Sequence, residues 1–139
     1  MRSFLKNGAD IHTYDDSALR FAASRGHTDT VRVLIENGAD IHAVDDSALR
    51  YAAEDGHLDT VICLVEKGAD IHARDDFALR FAALEDHTDI VRLLLENGAN
   101  AEISLHRGTP KAIISLIRTF NKNKATNQKR KISSTERGR

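Results

Sequence analysis

Tryptophan is absent from the 139 residues, cysteine, proline and methionine occur once each, and aromatics make up 5%. Each shortage removes a class of structure. Cys63, the single cysteine, can form no internal disulfide and no C-x-x-C site, which makes a reducing intracellular compartment, cytoplasm or nucleus, the expected setting. So few aromatics argue against a core built around large rings and for close packing of small side chains. No apolar run approaches the ~18 residues of a membrane helix. The opening MRSFLKNGAD lacks the apolar stretch of a signal peptide. Neither a G-x-S-x-G elbow nor a glycine-rich phosphate loop occurs, so no enzyme, cofactor or catalytic residue is expected.

The net charge of −1 conceals a split. From Lys122 to Arg139 there are seven basic residues and one acid, Glu136, which leaves 13 basic and 20 acidic residues in the first 121. Such a division usually separates a folded body from a solvated arm. Within the arm, Gln128-Lys129-Arg130-Lys131 is a candidate nuclear-import or nucleic-acid patch, although no aromatic is interleaved for base stacking.

What the chain has in abundance is repetition. Gly8, Gly38, Gly68 and Gly98 open the phrase GAD or GAN every 30 residues, and Asp15–Val44 matches Asp45–Arg74 at 21 of 30 positions. A fixed period of this length marks a stacked repeat architecture. Each unit reads as two short helices. Asp15-Asp16 precede Ser17–Ala23, where acidic side chains can accept from the orphan N–H groups of a first turn. Ala18, Leu19 and Ala22 form one apolar stripe, and Gly26 supplies the stop. His27-Thr28-Asp29 open the second helix, with Val31, Leu34 and Ile35 at helical spacing and Gly38 at its end. Helices this short are marginal alone, so neighbouring units must hold them. The pairs Ala22-Ala23, Ala52-Ala53 and Ala82-Ala83 give the first helix a thin side that lets adjacent units approach.

These residues carry a resemblance. A-L-x-x-A-A, G-H, V-x-x-L and G-A-D-I-x-A are similar to the ankyrin repeat from Met1 to about Phe120. The family's period is typically ~33. Here the three missing residues fall before Ser17, Ser47 and Phe77, which implies that the projecting hairpin is shortened to a tight loop. The short unit, with D-D-x-A-L-R and G-A-D-I-H, is similar to repeats in ankyrin proteins of giant DNA viruses, which would place it in a host cell. The implied fold is an all-α, ankyrin-like helical repeat solenoid with shortened hairpin loops. It divides into a half repeat (1–14), repeats 15–44, 45–74 and 75–104, a closing helix at about 109–120, and a disordered basic tail, 121–139. Ile113, Leu116 and Ile117 carry the closing helix, with Pro110 in its first turn.

Two recurrent patterns invite sharper chemistry. His12, His42 and His72 share one repeat position and His27, His57 and His87 another. Packed helices lie ~8–10 Å apart, whereas zinc needs its imidazoles within bonds of ~2 Å, so no metal site is expected. The resemblance implies that the second set braces the junction between the two helices. Arg20, Arg50 and Arg80 stand four residues after Asp16, Asp46 and Asp76, which predicts a ladder of i, i+4 ion pairs.

Partners of ankyrin proteins commonly meet the loop tips and the inner helices just before the G-H turn. The resemblance therefore implies contact at Thr13, Tyr14, Ala43, Val44, Ala73 and Arg74, and at Ser24, Arg25, Glu54, Asp55, Leu84 and Glu85. Tyr14, Arg74 and Leu84 are the expected anchors. The acids Glu54, Asp55, Glu85 and Asp86 should favour a basic segment of a partner. The expected function is non-catalytic protein binding through the concave face by a monomer. The alternatives are a nuclear or nucleic-acid-associated protein acting through Lys129, Arg130 and Lys131, and a fragment of a longer array.

Overall fold

The computed structural model describes residues 10–102 and 105–137, with side chains of the last helix as far as Thr126. Most of the half repeat, up to Ala9, therefore lies outside the described residues. Seven helices, and no strand among the described residues, follow one another: α1 (Thr13–Ser24), α2 (Thr28–Glu36), α3 (Ala43–Glu54), α4 (Leu58–Glu66), α5 (Ala73–Leu84), α6 (Thr88–Glu96) and α7 (Lys111–Arg137). The first helices of the units pack in the order α1, α3, α5, the second in the order α2, α4, α6, and α7 closes against α6.

The alternation of small and large side chains explains the stack. Ala22, Ala23, Ala52, Ala53, Ala82 and Ala83 are at most 4% exposed, and Leu19, Leu49 and Leu79 repeat beside them. Val31, Val61, Val91, Leu34, Leu64 and Leu94 fill the space against the outer helices. Burying one such leucine contributes about 1.5–3 kcal/mol. Cys63 is buried among them as a small packing residue. Ile113 and Ile117 extend the same core into α7.

The shortened loop takes a form the sequence reading does not contain. Tyr14, Asp15 and Asp16 all sit in the left-handed region (φ 53°, 55° and 58°), as do Val44–Asp46 and Arg74–Asp76. Three such residues in succession make one left-handed turn, closed by Asp16 N–H donating to His12 O at 3.2 Å and its equivalents in the later units. Each L-residue held there costs about 1–2 kcal/mol, so the turn needs outside support. Arg20 supplies it: Nε donates to Asp15 O and Nη2 to Tyr14 O, both at 2.9 Å. Arg50 and Arg80 repeat the clamp. The expected Asp–Arg ladder is thus replaced by arginines bonded to carbonyls, because the left-handed turn directs its C=O groups at the guanidinium.

The aspartates do not cap the helices either. No side chain caps the N-terminus of α1, α3 or α5. Asp16, Asp46 and Asp76 instead turn into the stack, where they are 4–5% exposed. Each accepts from the imidazole Nδ1–H four residues earlier and from a backbone N–H of the GAD or GAN turn that leads into the next unit: Asp40 at 2.9 Å, Asp70 at 2.7 Å and Asn100 at 2.8 Å. The GAD phrase completes this joint. The side chains of Asp40, Asp70 and Asn100 accept from the N–H two residues on at 2.9 Å, which shapes the turn that presents their own N–H. Asn100-Ala101-Glu102 departs from Asp-Ile-His in sequence yet keeps both bonds.

A second joint uses the other histidines. His57 Nε2–H donates to Ser24 O at 3.0 Å and His87 Nε2–H to Glu54 O at 2.9 Å. The brace therefore runs to the preceding unit and not across one unit's own two helices. It also dictates the glycines: a Cβ on Gly26 would lie 2.5 Å from His57 Nδ1, and one on Gly56 2.7 Å from His87 Cε1. Asp86 holds the same left-handed position (φ 63°), and in the closing unit Thr109 stands where that histidine would.

At the C-terminal end the closing helix does not stop near Phe120. It continues to Arg137, where the sequence reading expects disorder beyond residue 120. Between Lys111 and Arg137 there is no glycine or proline, and extending a helix already nucleated by packing is far cheaper than starting one.

The histidine joint yields a stability test. Gly56→Ala and Gly68→Ala place alanine at similar positive φ (83° and 97°), but nothing lies within 4 Å of the Gly68 position. Urea unfolding should show Gly56→Ala the more destabilising by about 1–3 kcal/mol. In a His87→Ala background that excess should vanish.

Candidate functional site

Burial of Leu19, Ala22 and Ala23 on one side of α1 leaves Phe21, Ser24 and Arg25 on the other, and α3 and α5 repeat the division with Tyr51, Glu54 and Asp55 and with Phe81, Leu84 and Glu85. This open side of the inner helices is the concave face. It carries an aromatic and guanidinium row. Arg25 lies over the Phe21 ring at 4.4 Å, and Arg50 stands between Tyr51 (5.2 Å) and Phe77 (4.9 Å). Phe77 stacks on Phe81 at 4.0 Å, Phe81 meets His106 at 4.6 Å, and Arg80 Nη1 donates to His106 Nε2 at 3.0 Å.

This row lies outside the expectations drawn from the sequence, in which the aromatics count only as few. The signal was present: Phe21, Tyr51 and Phe81 occupy one repeat position, two residues after the buried Leu19, Leu49 and Leu79, and so face away from the core. Among the described residues the large apolar side chains left most exposed are Tyr14 (82%), Phe21 (60%), Val44 (45%) and Tyr51 (43%).

The implied partner-binding residues divide in the structure. Tyr14 and Val44 project from the left-handed turns. Arg74 is exposed but donates from Nε to Asp45 Oδ2 of the preceding turn at 2.8 Å, a surface pair worth about 0–1 kcal/mol. Ala43 is buried and presents little surface. Thr13 Oγ1 donates to Asp10 O and Ser24 Oγ to Phe21 O, so both hydroxyls are spent locally. Leu84 is half-buried, its Cδ1 close to Gly108. Arg25, Asp55 and Glu85 remain exposed, with Glu54 half-buried beside them.

Electrostatically the face is polarised. Partial burial raises the Glu54 carboxyl above its ordinary value. Asp55 and Glu85 push the same way, and Arg50 opposes them only weakly. The negative charges of the second and third units are thus near enough to feel one another, while Arg25 marks the first unit as positive.

A carboxyl whose pKa is raised by folding adds stability below its unfolded value and loses that contribution as pH rises through the folded one. Glu54→Gln should therefore unfold at a higher temperature than the parent at neutral pH. The difference should shrink as pH falls below the usual carboxylate range, measured by circular dichroism melts across pH.

Comparison with known proteins agrees with this architecture. The family model described as ankyrin repeats (3 copies) matches residues 1–75 and 44–104. A search of curated proteins finds no match. With three stacked helix pairs and a closing helix among the described residues, and a match spanning most of its length, the chain belongs to the ankyrin-repeat family.

Proposed function

We propose that this protein binds another protein through its concave face and turn tips, without catalysis. Ankyrin repeats are in general protein-interaction modules. The single observation that carries the reading here is the placement of exposed apolar surface. Tyr14, Phe21, Val44 and Tyr51 all stand on the tips or the inner helices, and the aromatic side chains among them are of the kind enriched at interfaces. Ser24, Arg25, Glu54, Asp55, Arg74, Leu84 and Glu85 complete the surface around them. The proposed setting is inside a cell, in cytoplasm or nucleus, which one unpaired, buried cysteine supports. If the likeness of the short unit to giant-virus ankyrin proteins extends to origin, that cell is a host.

The test is affinity capture with the full chain as bait beside a variant carrying Tyr14→Asn and Phe21→Ser. Asparagine tolerates the left-handed backbone at position 14, and Phe21 is mostly exposed, so thermal stability should hold within about 0.5 kcal/mol. A partner held by the parent and lost by the variant supports the reading. Equal capture by both places binding elsewhere.

A further inference from the structure

Charge and spacing on the concave face specify what kind of partner segment fits it. The face is more than a patch of acids. In the second unit an exposed ring, Tyr51, stands one helical turn before a carboxylate, Asp55, with Glu54 beside it, and in the third Glu85 continues the acids one turn after Phe81, whose ring is covered by Phe77 and His106. A ring beside a carboxylate suits a lysine or arginine, whose stem lies on the ring and whose head reaches the acid. In the first unit the sign is reversed. Phe21 is paired with Arg25, already seated over its ring at 4.4 Å. The Glu54 carboxyl is raised first by partial burial, and Asp55 and Glu85 add to the shift as neighbouring negative charges.

Resting on the protein-binding reading above, we propose that the concave face holds an extended segment of another protein with basic residues at every third position, followed by an acidic residue that meets Arg25. The spacing follows from two lengths. Inner helices of successive units lie about 8–10 Å apart, and a chain extended as polyproline II advances ~3.1 Å per residue with about three residues per turn, so every third side chain returns, on the same face, to the next unit. The order basic, basic, acidic follows from the order of charges on α5, α3 and α1. This fixes a register as well as a charge, because a segment shifted by one unit sets like charges against Arg25.

The probe is a fluorescein-labelled peptide with arginine at two positions three apart and glutamate three further on, in a glycine, serine and threonine background. Its control has arginine and glutamate exchanged. Fluorescence anisotropy with the full chain at low ionic strength should show the first binding at least roughly tenfold tighter than the second. Glu54→Lys with Glu85→Lys should abolish that preference, and Glu54→Gln with Glu85→Gln should reduce it if the reversal disturbs folding by circular dichroism. Equal binding of the two peptides, or binding unaffected by either pair of substitutions, overturns the proposal. If capture still depends on Tyr14 and Phe21 while the peptides fail to discriminate, the concave face stands as the binding surface and the basic partner falls. Loss of both would sink the two together.

Discussion

Asp16, Asp46 and Asp76 are carboxylates almost withdrawn from water, and a charge so placed is costly unless its oxygens are satisfied. They are satisfied by the imidazole four residues earlier and by a backbone N–H of the GAD or GAN turn that leads into the next unit. Removing that turn would leave the acceptor half used, and removing the carboxylate would orphan the N–H. The bond is therefore a joint, and stacking follows from it as much as from the apolar layers. Among the described residues no buried side-chain nitrogen or oxygen lacks a partner.

The joint also explains why a shorter unit is workable. Deleting the hairpin leaves a chain that must reverse within a few residues, and it does so through a left-handed turn that alanine-rich helices could not support unaided. Arginine at positions 20, 50 and 80 holds the turn's carbonyls, and aspartate at positions 16, 46 and 76 is its last residue. One motif, D-D-x-A-L-R, thus builds the reversal and the link between units together. It leaves Tyr14, Val44 and Arg74 projecting at the first position of each turn, so the scaffold's tightest feature is also what displays the tip residues.

Much of this was legible in the sequence. The 30-residue period, the alanine pairs and the Val/Leu/Ile spacing specify two helices per unit and their packing, because helical periodicity is a local property. The roles of Asp16 and Arg20 were not. An i, i+4 spacing reads as an ion pair only if the backbone between them is right-handed, and nothing in Tyr-Asp-Asp announces three left-handed residues. The second histidine set was recognised as structural, but its acceptor in the preceding unit is a tertiary fact. On the concave face, Arg25, Glu54, Asp55 and Glu85 stood out because the units differ there. Phe21, Tyr51 and Phe81 were overlooked because the units agree.

Exchange of backbone amides with solvent tests the joint most directly. Asp40, Asp70 and Asn100 lie in exposed turns, yet their N–H groups end on buried carboxylates. Native-state hydrogen exchange by NMR should find these amides protected nearly as well as those of the outer helices. Asp46→Ala should release Asp70 while leaving Asp40 and Asn100 slow. A freely exchanging Asp70 amide in the unaltered protein would show that the carboxylate does not join the units, and the account would fail at its centre.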